Sequence, residues 1–95
     1  MAETVGTSDR SRQAFDRAVR REREAILLHE RAAALHEATA FRLNEAALAM
    51  VDLVRADVLR EHADAEREAA GVARARAAGV RARLAAEGVA DVGPT

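Results

Sequence analysis

From Arg10 to Ala70 this 95-residue chain contains neither glycine nor proline. Both residues interrupt helices, proline because it lacks an N–H donor and glycine because it loses more backbone entropy on folding than other residues do. Alanine, which has the highest helix propensity, occurs 25 times in the sequence. A run without interruption predicts one very long helix, or several helices joined by turns that the sequence does not mark.

The large apolar side chains are concentrated in residues 41–59, which hold nine of the 22 in the chain. At 100° per residue, one apolar stripe runs through Met50 and Val54, and a second runs through Phe41 and Leu48. A helix with two apolar faces requires two partners. We therefore predict a packing and oligomer seam formed by Leu43, Met50, Val54, Val58, Phe41 and Leu48.

The total apolar complement is small, because Leu, Ile, Val and Phe together make only 20 of the 95 residues. Chains with so few large apolar residues approach the limit at which a core no longer offsets the entropy of folding. Burial shared with a second copy would compensate for this shortage. The expected fold is all-α: long antiparallel helices, in a helical hairpin or a three-helix bundle, completed by self-association.

The expected domain organisation is a single helical domain over residues 9–88, between a disordered tail at residues 1–8 and a flexible tail at residues 89–95. Its first helix can be capped by Thr7, Ser8 or Asp9, and Gly88 fits the position that follows the last helix. The break between helices is expected near residues 39–44, near residues 62–64, or not at all.

The inventory of reactive side chains argues against catalysis. The chain has no Cys, Lys or Tyr, and its five glycines form no phosphate-binding loop. We therefore expect no enzymatic activity and no cofactor. No segment has the length and apolarity of a membrane span or a secretory signal, so we expect a soluble cytoplasmic protein without a membrane partner.

The three histidines are candidates for a metal site. His29 and His36 are seven residues apart, too far along a helix to chelate one ion without ligands from another helix. His62 and Glu66, at positions i and i+4, are the one His–acid pair spaced to share an ion. The preferred interpretation is that His29 and His36 are partly buried and hydrogen-bonded across an interface. A metal site would use His29, His36, His62 and Glu66.

All fifteen basic residues are arginine, and they cluster in two arms on either side of an acidic middle. Nucleic-acid contact would use these arms, through Arg10, Arg12, Arg17, Arg20, Arg21, Arg74, Arg76, Arg81 and Arg83. The net charge of −1 and the presence of a single aromatic residue, Phe15, among these arginines weaken that hypothesis. The arms could instead pair with the acidic middle of a neighbouring helix and set an antiparallel register.

The function expected from the sequence is that of a non-enzymatic helical module, a homo-oligomeric coiled coil or bundle that binds another macromolecule as a scaffold, adaptor or regulator. Its expected partners are itself, as a dimer or larger assembly, and another protein. One alternative is a nucleic-acid-associated protein that uses its arginine arms. The other is a metal-binding helical bundle built around the histidines.

Overall fold

The chain forms a hairpin of two long antiparallel helices. In a computed structural model, which describes the backbone of residues 2–89 and the side chains from residue 8 onward, α1 spans Ala2–Ala49 and α2 spans Leu53–Ala86. The molecule is a rod with principal extents of 78 × 20 × 17 Å. The predicted all-α hairpin is confirmed, and the three-helix alternative is not observed in the described part of the chain.

The turn lies at Met50–Asp52, inside the apolar stretch that we expected to be one continuous helix. Asp52 is the N-cap of α2, and its Oδ1 accepts hydrogen bonds from the backbone N–H groups of Val54 and Arg55 at 3.0 and 3.3 Å. A short carboxylate in extended backbone satisfies donors that the first turn of a helix leaves free. The breaks predicted near residues 39–44 and 62–64 are therefore wrong, because both segments are helical.

The predicted end of the second helix is correct. Gly88 follows the C-cap residue Glu87 with a φ of 78°, and its N–H donates to the carbonyl of Ala85. The N–H of Val89 donates to the carbonyl of Leu84 at 2.9 Å, which completes a Schellman motif. Of the predicted C-terminal tail only Val89 is described, and residues 90–95 lie outside the described part.

The beginning of the first helix differs from the prediction. The backbone is already helical at Ala2, so Thr7, Ser8 and Asp9 lie inside α1 and none of them is the residue that caps it. The segment predicted as a disordered tail, residues 1–8, is therefore helical from residue 2, while Met1 lies outside the described part.

The interface between the helices is lined mainly by alanine at every seventh position. The α1 row consists of Val19, Ile26, Ala33, Ala40 and Ala47, and the α2 row consists of Ala56, Ala63, Ala70, Ala77 and Leu84. Ala73 and Val80 add a second, shorter row on α2, and all of these residues are at most 8% exposed. Small side chains allow two helices to approach closely, although each one removes little apolar area from water.

Candidate interaction surface

Most of the large apolar side chains lie outside the hairpin interface. Of the residues with described side chains, eleven large hydrophobic ones are exposed: Phe15, Leu27, Leu28, Leu35, Phe41, Leu48, Val51, Leu53, Val54, Val58 and Val72. Their exposed fractions run from 46% to 95%. Apolar atoms are common on protein surfaces, but a contiguous group of large side chains indicates a site of interaction.

The predicted packing seam does not lie between the two helices. Phe41, Leu48, Val54 and Val58 are exposed, while Leu43 and Met50 are half-buried at the edge of the interface. The physical reason is the turn at Met50–Asp52, which places Phe41 and Leu48 on one helix and Val54 and Val58 on the other. The prediction that these six residues form the core between the two helices is wrong. The prediction that they form a seam between copies of the chain stays a prediction.

The exposed apolar residues of α1 repeat every seven residues on the side away from α2. One row contains Leu27, Ala34, Phe41 and Leu48, and a parallel row contains Leu28, Leu35, Arg42 and Ala49. A third row, Arg31, Ala38 and Glu45, runs between them, since these residues are three or four positions from members of both rows. We call these eleven residues the outer face of α1, and every one of them is exposed.

A second group of exposed apolar residues surrounds the turn. Val51 is 95% exposed, and Leu53 and Val54 are 73% and 74% exposed in the first turn of α2. Leu48 precedes them at the end of α1, so the outer face of α1 continues into the tip of the hairpin. The turn-proximal half of the rod therefore carries most of the uncovered apolar surface.

Four arginines of α2 lie along one flank of the interface at seven-residue intervals. Arg74 and Arg81 form ion pairs with Glu37 and Glu30 of α1. Arg60 and Arg67 instead donate to carboxylates three residues earlier on their own helix, Asp57 at 2.7 Å and Asp64 at 3.1 Å.

The choice between these two kinds of partner follows from the sequence on each helix. Glu30 and Glu37 are seven residues apart, and the next α1 position in that series, 44, is Asn rather than Glu. On α2, the residues three positions before Arg74 and Arg81 are Gly71 and Ala78, which have no carboxylate to pair with an arginine. Each arginine therefore pairs with the carboxylate that its position provides. The alternative role predicted for the C-terminal arm, pairing with an acidic helix in an antiparallel register, is observed for Arg74 and Arg81.

The other predicted nucleic-acid contacts lie near the open end of the hairpin, away from the turn. Antiparallel packing puts Val19 of α1 in one cluster with Leu84 of α2, so both arginine-rich segments reach the same end of the rod. The remaining candidates are all exposed: Arg10, Arg12, Arg17, Arg20, Arg21, Arg76 and Arg83. The rod consequently has a basic open end, whereas acids outnumber arginines in the half nearer the turn.

The histidines do not converge on one point. His36 Nδ1 lies 2.5 Å from Glu66 Oε2, a contact that joins α1 to α2, with the two side chains 40% and 31% exposed. The predicted hydrogen bond across an interface is therefore found for His36. His29 is half-buried one heptad earlier and His62 is exposed, and the described residues contain no group of three or more His, Asp or Glu side chains arranged to hold a metal.

Two features of this surface were not recognised in the sequence. The first is the pair of long alanine-rich rows at seven-residue spacing, because a single alanine carries too little apolar area to mark the buried side of a helix. The second is Asp52, whose signal was a short acidic residue followed at once by a helix-forming segment.

Comparisons with known proteins do not assign the chain to a family: no family model, no curated protein and no solved structure is significantly similar to it. Among the described residues, neither helix combines the length and apolarity needed to cross a membrane.

Proposed function

We propose that this protein is a non-enzymatic helical module that self-associates and thereby serves as a scaffold, adaptor or regulator for another macromolecule. The observation that supports this function is the division of side chains between the inside and the outside of the hairpin. Alanine forms most of the interior, whereas Phe41 and Leu48 are 65% and 77% exposed on α1. Covering such side chains with another chain would remove apolar area from water at little conformational cost, because the helix that carries them is already formed.

The shape of the hairpin supports binding rather than catalysis. A rod 78 Å long offers long, shallow surfaces. The cleft beside Arg74 and Arg81 has Ala33 and Ala77 at its floor and charged side chains at its rim. Small-molecule and catalytic sites are usually concave, with a few polar groups converging on one point.

Light scattering coupled to gel filtration tests this proposal. At micromolar concentration we expect a mass of at least twice the 10.2 kDa of one chain. Dilution should shift the equilibrium towards the single hairpin, since association depends on protein concentration. A mass of 10.2 kDa that does not change with concentration would exclude self-association.

A second candidate function, nucleic-acid binding, is supported by the arginines gathered at the open end. Arg20 and Arg21 are exposed on α1 near that end, and Arg83 is exposed on α2. If these side chains contact phosphates, a labelled random-sequence duplex should bind at low salt, and the Arg20→Glu/Arg21→Glu variant should bind it less tightly. The matched control is Arg55→Glu/Arg60→Glu, which changes the charge equally near the turn. Equal binding by the two variants, or none by the wild type, would exclude this function.

A further inference from the structure

We propose that two copies of the chain pair antiparallel along the outer face of α1, with the two-fold axis passing at Ala38. This inference rests on the proposed self-association and specifies the surface, the orientation and the register. It follows from the order of residues along the outer face, from their exposure, and from the charges placed between the two apolar rows.

The outer face lies on the side of α1 opposite the alanine row that packs on α2. Ala33 and Ala40 are 2% exposed in the interface, whereas Leu35 and Phe41 are 62% and 65% exposed. A second copy can therefore approach α1 without displacing α2. From Leu27 to Ala49 the outer face is about 33 Å long at 1.5 Å per residue.

When the second copy runs antiparallel about a two-fold axis at Ala38, each apolar row of one copy faces the same row of the other. In the first row, Leu27 meets Leu48 of the second copy, and Phe41 meets Ala34. The large ring of Phe41 thus lies opposite a side chain small enough to leave room for it, which is the packing that interdigitated interfaces require. In the second row, Leu28 meets Ala49 of the second copy. Leu35 meets Arg42, whose aliphatic stem can cover the leucine while the guanidinium remains in water.

The charged residues of the central row decide between an antiparallel and a parallel pair. Arg31 and Glu45 lie seven residues on either side of Ala38. Reversal about Ala38 therefore places Arg31 of each copy opposite Glu45 of the other, which gives two ion pairs across the axis. In a parallel pair in register, Arg31 would face Arg31 and Glu45 would face Glu45, which is unfavourable.

Alanine at the centre of the row is consistent with this arrangement. Residue 38 meets its own copy at the two-fold axis, where a large or charged side chain would contact itself. Ala38 is exposed, with Ala34 four residues before it and Phe41 three residues after it. A small residue there lets the two helices approach until the apolar rows on both sides are in contact.

Charge reversal at Arg31 and Glu45 tests the register. Arg31→Glu alone and Glu45→Arg alone each convert two attractive contacts into two repulsive ones, so the dissociation constant of the dimer should rise about tenfold. The double variant Arg31→Glu/Glu45→Arg restores opposite charges across the axis and should return the dissociation constant close to that of the wild type. The control is Arg55→Glu on α2, which makes the same change of charge outside the outer face and should leave the dimer intact.

Single cysteines test the orientation, and the chain contains no cysteine of its own that would interfere. Ala38→Cys should form a disulfide-linked dimer on mild oxidation, because residue 38 meets itself at the axis. Leu48→Cys should not, because the two copies of residue 48 would be about 30 Å apart. A mixture of the Leu27→Cys and Leu48→Cys chains should give the crosslinked heterodimer, since these positions meet across the axis.

These results separate the failure of the register from the failure of self-association. If the wild type is monomeric, both proposals are wrong. If it is dimeric but the charge-reversed variants keep the dissociation constant of the wild type, self-association stands and the proposed contact along the outer face of α1 is wrong. Crosslinking through both Ala38→Cys and Leu48→Cys would show a parallel pair and overturn the antiparallel arrangement.

Discussion

At the open end of the hairpin the interface contains Val19, Ile26, Val80 and Leu84, whereas from Ala33 to the turn its buried residues are alanine. The large exposed side chains are distributed in the opposite way, with more of them near the turn. The half near the turn carries Phe41, Leu48, Val51, Leu53 and Val54 on its surface. The interface thus contains large side chains at the open end, whereas near the turn it contains alanine and the large side chains lie on the surface.

This difference indicates which part of the interface contributes most to the free energy of folding. Burying an aliphatic side chain the size of Ile or Leu contributes roughly 1.5–3 kcal/mol, and an alanine methyl group contributes much less. The open end therefore stabilises the hairpin by itself, with Val89 packed against its apolar cluster. The half near the turn relies on helix propensity and on the close approach of the two helices, and it leaves its larger apolar side chains exposed.

The largest expected effect is loss of a bulky side chain that is buried between the helices. Ile26 is 1% exposed, so Ile26→Ala should lower the free energy of unfolding by about 2–5 kcal/mol through lost apolar burial and a residual cavity. Leu28→Ala, two residues away on the outer face, should change hairpin stability little but should weaken self-association. Chemical denaturation under monomeric conditions measures the first quantity. Similar losses of stability for both variants would contradict the division between inside and outside.

Enlarging an alanine in the half near the turn should have the next largest effect. Ala63 is 0% exposed in the interface, and Ala63→Leu should cost about 1–3 kcal/mol because the helices must move apart. Ala65→Leu is the matched control, since residue 65 lies on the same helix but is exposed. Thermal melting compares the two variants. A stabilised Ala63→Leu variant would show that the helices are not closely packed there.

Removing the cap of α2 should have an intermediate effect. Asp52→Ala leaves the N–H groups of Val54 and Arg55 without their side-chain acceptor, and the expected cost is about 1 kcal/mol. Asp52→Asn should retain most of the stability, because asparagine also caps helices. Denaturant titration of both variants measures the difference. If Asn and Ala are equally destabilising, the charge of Asp52 matters more than its hydrogen bonds.

The smallest effect is expected from the ion pairs along the arginine flank. A double-mutant cycle on Glu30 and Arg81, whose side chains are 31% and 24% exposed, should give a coupling energy towards the upper part of the range of roughly 0.2–1 kcal/mol. The same cycle on Asp64 and Arg67, at 75% and 56% exposed within one helix, should give less. Added salt should reduce both coupling energies. A larger coupling for the exposed pair would reverse this ranking.

Helical content was predictable from the sequence because it depends on local properties, whereas the choice between a hairpin and a three-helix bundle stayed open. Alanine-rich sequence without glycine or proline makes helix the favoured backbone state, and Gly88 adopts the left-handed conformation expected at the end of α2. The acidic residues that pair with Arg74 and Arg81 were expected only as a group, since their partners depend on which helix faces which.

The position of the turn and the identity of the core were decided by tertiary structure. Thr39, Asn44 and Asp64, in the two segments where a break was expected, are residue types that cap helices as Asp52 does, and local capping energies of about 1 kcal/mol do not separate the four positions. Packing does, because a turn at Met50–Asp52 sets two long rows of small residues face to face over most of α2.

From the amino-acid sequence it follows that this chain is helical, that it has few large apolar residues, and that its charge is segregated along its length. The packing of α1 against α2 selects which of the 25 alanines line the interior and which large side chains remain on the surface. The physical reason is that one alanine contributes too little burial to select its own side of a helix. When several alanines recur at seven-residue spacing, their combined burial fixes that side of the helix against an antiparallel helix with a matching row.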